Sequence, residues 1–275
     1  MTQVKRMMHK TDRYNAIMAS LRHAGSTSIA ELTRKLAVSD ETVRRDVKVL
    51  ESRGLLERVH GAVILAEHGG EAEFQKRMAQ NAAAKRAIAE ATVAEVEDGD
   101  AIMIDNGTTT AYVARALLAR RNLFVVTNGT EIARTLARGE GNRVHLPGGE
   151  IRPDDYSVFG EASVNFIRNF RAKMAILSIG AIHYEGGYMD FHLEEAELAR
   201  TMIRQSSKVM VVADTSKFHN QAPVSVCGFE DVGTMICDRA PPGPLARRFE
   251  QHDVRVIDVS RASGAQTNAD ETTAG

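Results

Sequence analysis

VSDETVRRDVKVLESRGLLERVHGAV, residues 38–63, reads as one helix, a glycine stop and a pair of short strands. It gathers four arginines and a lysine, with a histidine near its end. Ser39 sits where an N-cap belongs, because its hydroxyl can accept from the orphan amides of the first turn. Thr42 stands three places on, where a reciprocal capping box would need Glu or Gln, so the expected cap is one-sided. Val43, Val47 and Leu50 recur at i, i+4 and i+7 and make one inward face. Thr42, Arg44, Arg45 and Lys48 therefore face away from it. Gly54 ends the helix, and the alternation from Leu55 to Leu65 around His60-Gly61-Ala62 predicts two strands and a turn.

Working upstream, Tyr14, Ile17, Met18 and Leu21 repeat at helical spacing up to a stop at Gly25. Ser28 can cap a second helix whose apolar face is Ile29, Leu32 and Leu36. Three short helices and a β-hairpin make a winged helix-turn-helix, and the third helix is the right width for a DNA major groove. Helix hydroxyls and a helix N-terminus suit phosphates, and arginine can bind guanine in bidentate fashion. The candidate DNA contacts are Ser39, Thr42, Arg44, Arg45 and Lys48 on the third helix, with Arg58 and His60 on the wing. The competing reading is a helical hairpin with solvated arginines. Two adjacent arginines on a capped helix followed by a basic wing argue against it.

Charge supports this division. Residues 1–66 carry 12 Lys and Arg against 7 Asp and Glu, a net of +5, and residues 67–275 carry 23 against 29, a net of −6. A basic head suits a polyanion, and an acidic body has some other task. At 275 residues the chain exceeds what one core usually spans, so two domains are expected. The two cysteines, Cys227 and Cys237, form no CxxC pair, which argues against a disulfide framework and a structural zinc site. No apolar run approaches a membrane span, and the start MTQVKRMMHKTDRYN has no signal-peptide core, so a cytoplasmic protein is expected.

The body opens on an alanine-rich helical stretch, EAEFQKRMAQNAAAKRAIAEATVAEV, read as a connector. From Ala101 onward seven short apolar runs alternate with helical patterns: AIMID, LFVVT, RVHLP, KMAILSIG, KVMVVAD, TMICD and VRVIDV. Strands apolar on both faces and separated by helices predict a parallel sheet in an α/β domain. Such sheets bind ligands beyond the carboxyl ends of their strands. Those ends are polar here. Asp105 and Asn106 lead into Gly107, Thr108, Thr109 and Thr110, which open a helix and offer a phosphate cradle. Asn128-Gly129, Gly148-Gly149-Glu150 and Asp214-Thr215-Ser216-Lys217 end three further strands, and Lys217 can supply a full positive charge. Glu194 and Glu195 are further candidates, although first-turn carboxylates also suit the helix dipole. His192 and Glu195 share the i, i+3 spacing of a metal pair, but two ligands without a third make no metal site.

The stretch VSDETVRRDVKVLESRGLLERVHGA resembles the signature of DeoR-type bacterial transcriptional regulators. The usual ending of that signature is His-Gly-Gly, and Ala62 replaces the second glycine. The resemblance covers roughly residues 10–258. It implies a C-terminal α/β sugar-phosphate sensor domain with a mainly parallel, ribose-5-phosphate-isomerase-like sheet. The family usually has an Asp before Gly-Ile at the fourth strand, whereas ILSIGAIH puts Gly180 in that place, so the candidate base for isomerase chemistry is absent and sensing is expected over turnover. GGYMDFHLEEAE, KVMVVADTSKF and CDRAPP resemble the glycerol-3-phosphate regulon repressor subgroup, with the MDF run and the replaced Asp as its most telling features. HNQAPVSV departs from it by lacking the glycine that follows Lys-Phe.

The expected organisation is a winged helix-turn-helix over residues 1–66, a connector over 67–100, an effector-sensing domain over 101–260 and a polar, disordered tail over 261–275. The expected effector contacts are Asp105, Gly107, Thr108, Thr109, Thr110, Asn128, Gly148, Gly149, Glu194, Glu195 and Lys217. The expected function is a repressor with no catalytic residues, metal or cofactor. Its expected partners are operator DNA, a phosphorylated metabolite with glycerol 3-phosphate as inducer, and copies of itself in a homo-oligomer. The alternatives are a repressor of another sugar-phosphate pathway and a sugar-phosphate isomerase with a DNA-binding appendage.

Overall fold

A computed structural model of the chain describes residues 10–24, 26–52, 56–59, 62–65 and 74–260. Two compact units meet between Glu73 and Phe74 in sequence. His60 and the tail from residue 261 lie outside the described residues.

In the first unit, helix α1 (Lys10–Ala24) is followed by strand β1 (Ser26–Ser28), helix α2 (Ile29–Leu36) and helix α3 (Asp40–Ser52). Strands β2 (Leu56–Val59) and β3 (Ala62–Leu65) complete a small antiparallel sheet with β3 in its centre. Ile17, Leu21, Leu32, Val43, Val47, Leu50, Leu56 and Val63 are buried together as its core. The inward face of α3 is the one its spacing predicts. Strand β1 is an addition to the expected hairpin, because three residues of Ser-Thr-Ser carry no pattern until β3 offers them partners. At α2 the Ser28 cap is reciprocal: Ser28 Oγ accepts from the Glu31 amide at 3.1 Å, and Glu31 accepts from the Ser28 amide at 2.8 Å. That backbone bond holds the Glu31 carboxyl below its usual value. At α3, Ser39 Oγ accepts from the Thr42 amide at 3.3 Å and shares a hydrogen bond with the Thr42 hydroxyl at 2.8 Å.

One charged pair ties this unit across its helices. Arg13 Nε donates to Asp46 Oδ2 at 2.6 Å and Nη2 to Oδ1 at 3.2 Å, with the Asp46 side chain 4% exposed. The hydrogen bond to Asp46 is the main reason the Arg13 guanidinium holds its proton more tightly than usual. The acid of the Arg-Arg-Asp run thus anchors α3 to α1, while the two arginines face outward.

The second unit opens with α4 (Phe74–Ala79) and α5 (Ala82–Val93). Next come β4 (Ala101–Ile104), α6 (Thr108–Ala116), β5 (Phe124–Thr127), α7 (Thr130–Leu136) and β6 (Arg143–His145). A short hairpin of β7 (Ile151–Arg152) and β8 (Ser157–Val158) leads to α8 (Glu161–Ile167) and β9 (Ala172–Leu177). Strands β10 (Ala181–His183) and β11 (Gly187–Asp190) precede α9 (Leu193–Arg204) and β12 (Ser206–Val212). The unit closes with β13 (Val224–Cys227), β14 (Thr234–Cys237), α10 (Gly243–Gln251) and β15 (Arg255–Asp258).

Seven of these strands form one sheet in the order β15-β14-β12-β9-β4-β5-β6, and every pairing is parallel. They are the seven apolar runs of the sequence. Alternate residues enter two different cores: Met103, Ala175, Val211 and Met235 on one face, Ile104, Ile176, Val212 and Ile236 on the other. Helix α9 supplies Ala196, Leu198 and Met202 to the first core. Helix α5 supplies Ile88 and Ala89 to the second, beside Val113 and Ala114 of α6. Residues 74–93, read from the sequence as a connector, thus also form a layer of this unit. The apolar positions in the alanine-rich stretch have a sheet to cover. A second sheet, β10-β11-β13, is antiparallel and was not foreseen. The two thiols sit within the same unit, and burial pushes Cys227 and Cys237 each up to about 12.

Replacing Asp46 by Asn keeps the shape of the pair and removes its charge. A hydrogen-bonded charge pair with one buried member should then cost the first unit about 2–3 kcal/mol. Urea denaturation followed by circular dichroism checks this. A loss under about 0.5 kcal/mol would make the pair no stronger than an exposed one.

Candidate functional site

On α3, Arg44 and Arg45 are exposed and each pairs with a carboxylate one turn earlier. Arg44 Nε lies 2.6 Å from Asp40 and Arg45 Nη2 lies 3.7 Å from Glu41. Pairs this exposed contribute little, typically under 1 kcal/mol, so they exchange readily for phosphate or a base edge. Lys48 is exposed on the same helix, and Thr42 is half-buried at its start. Arg58 of β2 folds back over α3: its Nε is 3.3 Å from Glu51, and its Nη2 donates to the Arg44 carbonyl at 3.5 Å. The wing arginine and the helix that carries Arg44 are therefore physically joined.

In the second unit the parallel sheet puts all seven carboxyl ends on one edge. Asp105, just past β4, is buried there. Its carboxylate accepts the Ser178 amide at 2.9 and 3.0 Å and the Ser178 hydroxyl at 3.2 Å, which locks the ends of β4 and β9 together. Burial pushes this carboxyl up to about 7, against the pull of the Ser178 and Thr110 hydrogen bonds, and Glu195 adds repulsion. Gly107 precedes α6 in an extended conformation, and a Cβ there would stand 1.9 Å from Ser178 Oγ. Only glycine fits so close to that strand end. Thr108, Thr109 and Thr110 form the first turn of α6 and are buried, and the Thr110 hydroxyl donates to the Gly107 carbonyl at 3.1 Å.

Other expected residues have different surroundings. Asn128 is buried, its Oδ1 accepting the Asn106 amide at 3.1 Å and its Nδ2 donating to the Val158 carbonyl at 3.4 Å. It shapes the loops on either side. Gly148 and Gly149 are exposed ahead of the β7–β8 hairpin. In the first turn of α9, Glu194 is exposed, whereas Glu195 turns inward to Arg152. Lys217 is half-buried at the end of a short turn capped by Asp214, whose Oδ1 accepts the Ser216 amide at 2.9 Å.

Several residues at this edge escaped the sequence reading. Arg152 bridges Asp155 and Glu195 and lies 4.2 Å over the Phe159 ring, which fastens the β7–β8 hairpin to α9. Burial would lower its basicity, but the two carboxylates outweigh that and raise it. Asn81 donates to Asp214 Oδ1 at 2.9 Å, and Lys85, one turn later, is a buried lysine that donates to the Arg77 carbonyl. The adjacent cations Lys85 and Arg86 inside the alanine-rich run NAAAKRAIAEA were the available signal, without showing which of the two is buried. Among the described residues no cluster of three or more His, Cys, Asp or Glu side chains is placed to hold a metal ion. Among them, too, no helix is long and apolar enough to cross a membrane.

A DeoR-like helix-turn-helix domain matches residues 13–68, and a DeoR C terminal sensor domain matches residues 80–239. This chain belongs to the DeoR family. The HTH-type transcriptional repressor CsqR of Escherichia coli is 33% identical over 89% of this chain and 94% of its own. The glycerol-3-phosphate regulon repressor of Escherichia coli is 34% identical over 90% of this chain and 99% of its own. Ribose 5-phosphate isomerase A of Methanocaldococcus jannaschii is similar over 50% of this chain and 55% of that one, with a TM-score of 0.37 and 15% identity. The DeoR-family chain is a DNA-binding regulator of transcription and not an enzyme.

The raised Asp105 of this DeoR-family sensor gives a signed pH dependence. Its folded value of about 7 lies above the ordinary carboxylate range, so folding favours the protonated form. The stability it contributes is complete below about pH 4 and is lost as pH rises through about 7. The full rise corresponds to about 4 kcal/mol as an upper bound. Asp105→Asn keeps an acceptor for the Ser178 amide and cannot titrate. It should melt above the unaltered protein at pH 8, with the gap closing towards pH 5. Calorimetric melting at several pH values checks this, and a gap independent of pH would show that Asp105 does not titrate in this range.

Proposed function

We propose that this repressor releases its operator when a small phosphorylated polyol, glycerol 3-phosphate, occupies the carboxyl edge of the sensor sheet. Ser39, Thr42, Arg44, Arg45 and Lys48, with Arg58 and His60 of the wing, contact the operator. Gly107 to Thr110 and Lys217 hold the phosphate, with Asn128, Gly148 and Gly149 shaping the rim, and Asp105, Glu194 and Glu195 meet the polyol. The organisation is a DNA-binding head over 1–66, a linking region from 67 to 100 whose helices α4 and α5 pack into the sensor unit, a sensor over 101–260 and a dispensable tail from 261. The protein works in the cytoplasm as a homo-oligomer, which suits paired half-sites.

The observation that carries this reading is the shared edge: a helix N-terminus behind Gly107 and a carboxylate at Asp105 lie on the one loop that leaves β4, against the end of β9 at Ser178. Helix amides attract a phosphate, and carboxylates accept from hydroxyls. A phosphorylated polyol carries both groups. Support for glycerol 3-phosphate in particular comes from the regulon repressor relative and from the MDF run at 189–191. A second reading, a ligand other than glycerol 3-phosphate, has support of its own in the equally similar CsqR, a repressor that does not carry the name of the glycerol-3-phosphate regulon. Either ligand acts only through its different affinity for the free and DNA-bound forms, typically worth about 1–3 kcal/mol.

Titration of ligand into a preformed operator complex separates the readings. Glycerol 3-phosphate should weaken operator binding roughly five- to 150-fold, and glycerol and inorganic phosphate should not. Release by fructose 6-phosphate alone would move the assignment to a sugar-phosphate repressor. In the head, Arg44→Ala together with Arg45→Ala should abolish the operator gel shift, each lost base contact costing about 1–3 kcal/mol. A normal shift from that double variant would remove α3 from the major groove.

A further inference from the structure

Gly180 and the MDF run are two sequence oddities that meet in space. In the β10–β11 hairpin Ala181 lies opposite Met189, so the same register carries residue 180 opposite residue 190. A Cβ built on Gly180 would stand 2.7 Å from Asp190 Oδ1 and 2.9 Å from Phe191 Cδ2. The space that a side chain at 180 would fill therefore holds a carboxylate from the neighbouring strand. Asp190 is 8% exposed, and its Oδ1 accepts the Phe191 amide at 3.1 Å.

This carboxylate belongs to the sensor edge. Gly180 is two residues beyond Ser178, which binds Asp105 and abuts Gly107. On the other side the hairpin joins the Lys217 turn: Ile182 bridges Phe218, and its carbonyl accepts the His219 amide at 2.9 Å. Asp190 therefore lies beside β10, the strand that runs from the Ser178 loop to the Lys217 turn.

We propose that Asp190 is the residue that reads a hydroxyl group of the effector, occupying the place that glycine at 180 leaves open. The inference rests on the polyol-phosphate reading above and adds to it the group that tells a polyol phosphate from a plain phosphate ester. An ionised carboxylate accepts at about four lone-pair sites and donates at none, so it can serve a hydroxyl alongside its protein contacts. The same charge repels a phosphate, which assigns the anion to the cradle and the hydroxyl to this end of the edge. Glycine at 180 is then a requirement of the site, because any side chain there would push Asp190 aside.

The experiment compares glycerol 3-phosphate with propyl phosphate, which keeps the phosphate and lacks both hydroxyls. Calorimetry on the full chain should show about a ten- to hundredfold preference for glycerol 3-phosphate, the range expected of a charge-assisted hydrogen bond. Asp190→Asn should shrink that preference to about threefold or less. Gly180→Ala should shrink it too with Asp190 still present, by crowding Oδ1. The readout is the ratio of two affinities within one variant, which a general loss of folding does not alter selectively. A full preference retained in both variants would overturn the role of Asp190 and leave the effector reading standing. No preference in the unaltered protein, with both esters bound, would overturn it as well. Failure of the unaltered protein to bind either ester would overturn the effector reading, and the Asp190 assignment with it.

Discussion

The sensor unit depends on a carboxylate kept out of water. Asp105 holds the Ser178 amide through both oxygens, and that contact extends the β4–β9 pairing past the last backbone pair of the ladder. Gly107 must approach Ser178 closely, α6 must begin where it does, and Gly180 must follow two residues later. Desolvation makes the arrangement costly at high pH, where the buried carboxyl has to carry its charge beside Glu195.

Two kinds of surface divide the electrostatic work. On α3 the arginines are exposed and lightly held by carboxylates one turn away, so their exchange costs little. At the sensor edge Arg152 is clamped between two acids and an aromatic ring, so it acts as a fastening. Arg13 with Asp46 is the counterpart of that fastening in the first unit. The short run of residues 44–46 thus contains both kinds side by side.

Most of the larger architecture was legible because it is written locally. The seven strands of the main sheet are continuous apolar runs, and the first-unit helices carry caps and spaced apolar residues within one or two turns. What escaped depends on partners distant in sequence. Arg152 finds Glu195 43 residues away, and Arg13 finds Asp46 33 residues away. IRPDDYS reads as a polar loop until that partner is known. Strands β10, β11 and β13 are three or four residues long and owe their pairing to each other. The edge loops were identified as a group because strand polarity places them together, but the split between shaping and contacting residues, as at Asn128, is a matter of side-chain geometry.

The two thiols have a further consequence. With each pushed up to about 12, the thiolate population at pH 7 is on the order of one in 10⁵. Attack on peroxide or on a disulfide needs that thiolate. Both thiols of the unit are therefore slow nucleophiles at neutral pH, and neither is poised for disulfide exchange with an outside thiol.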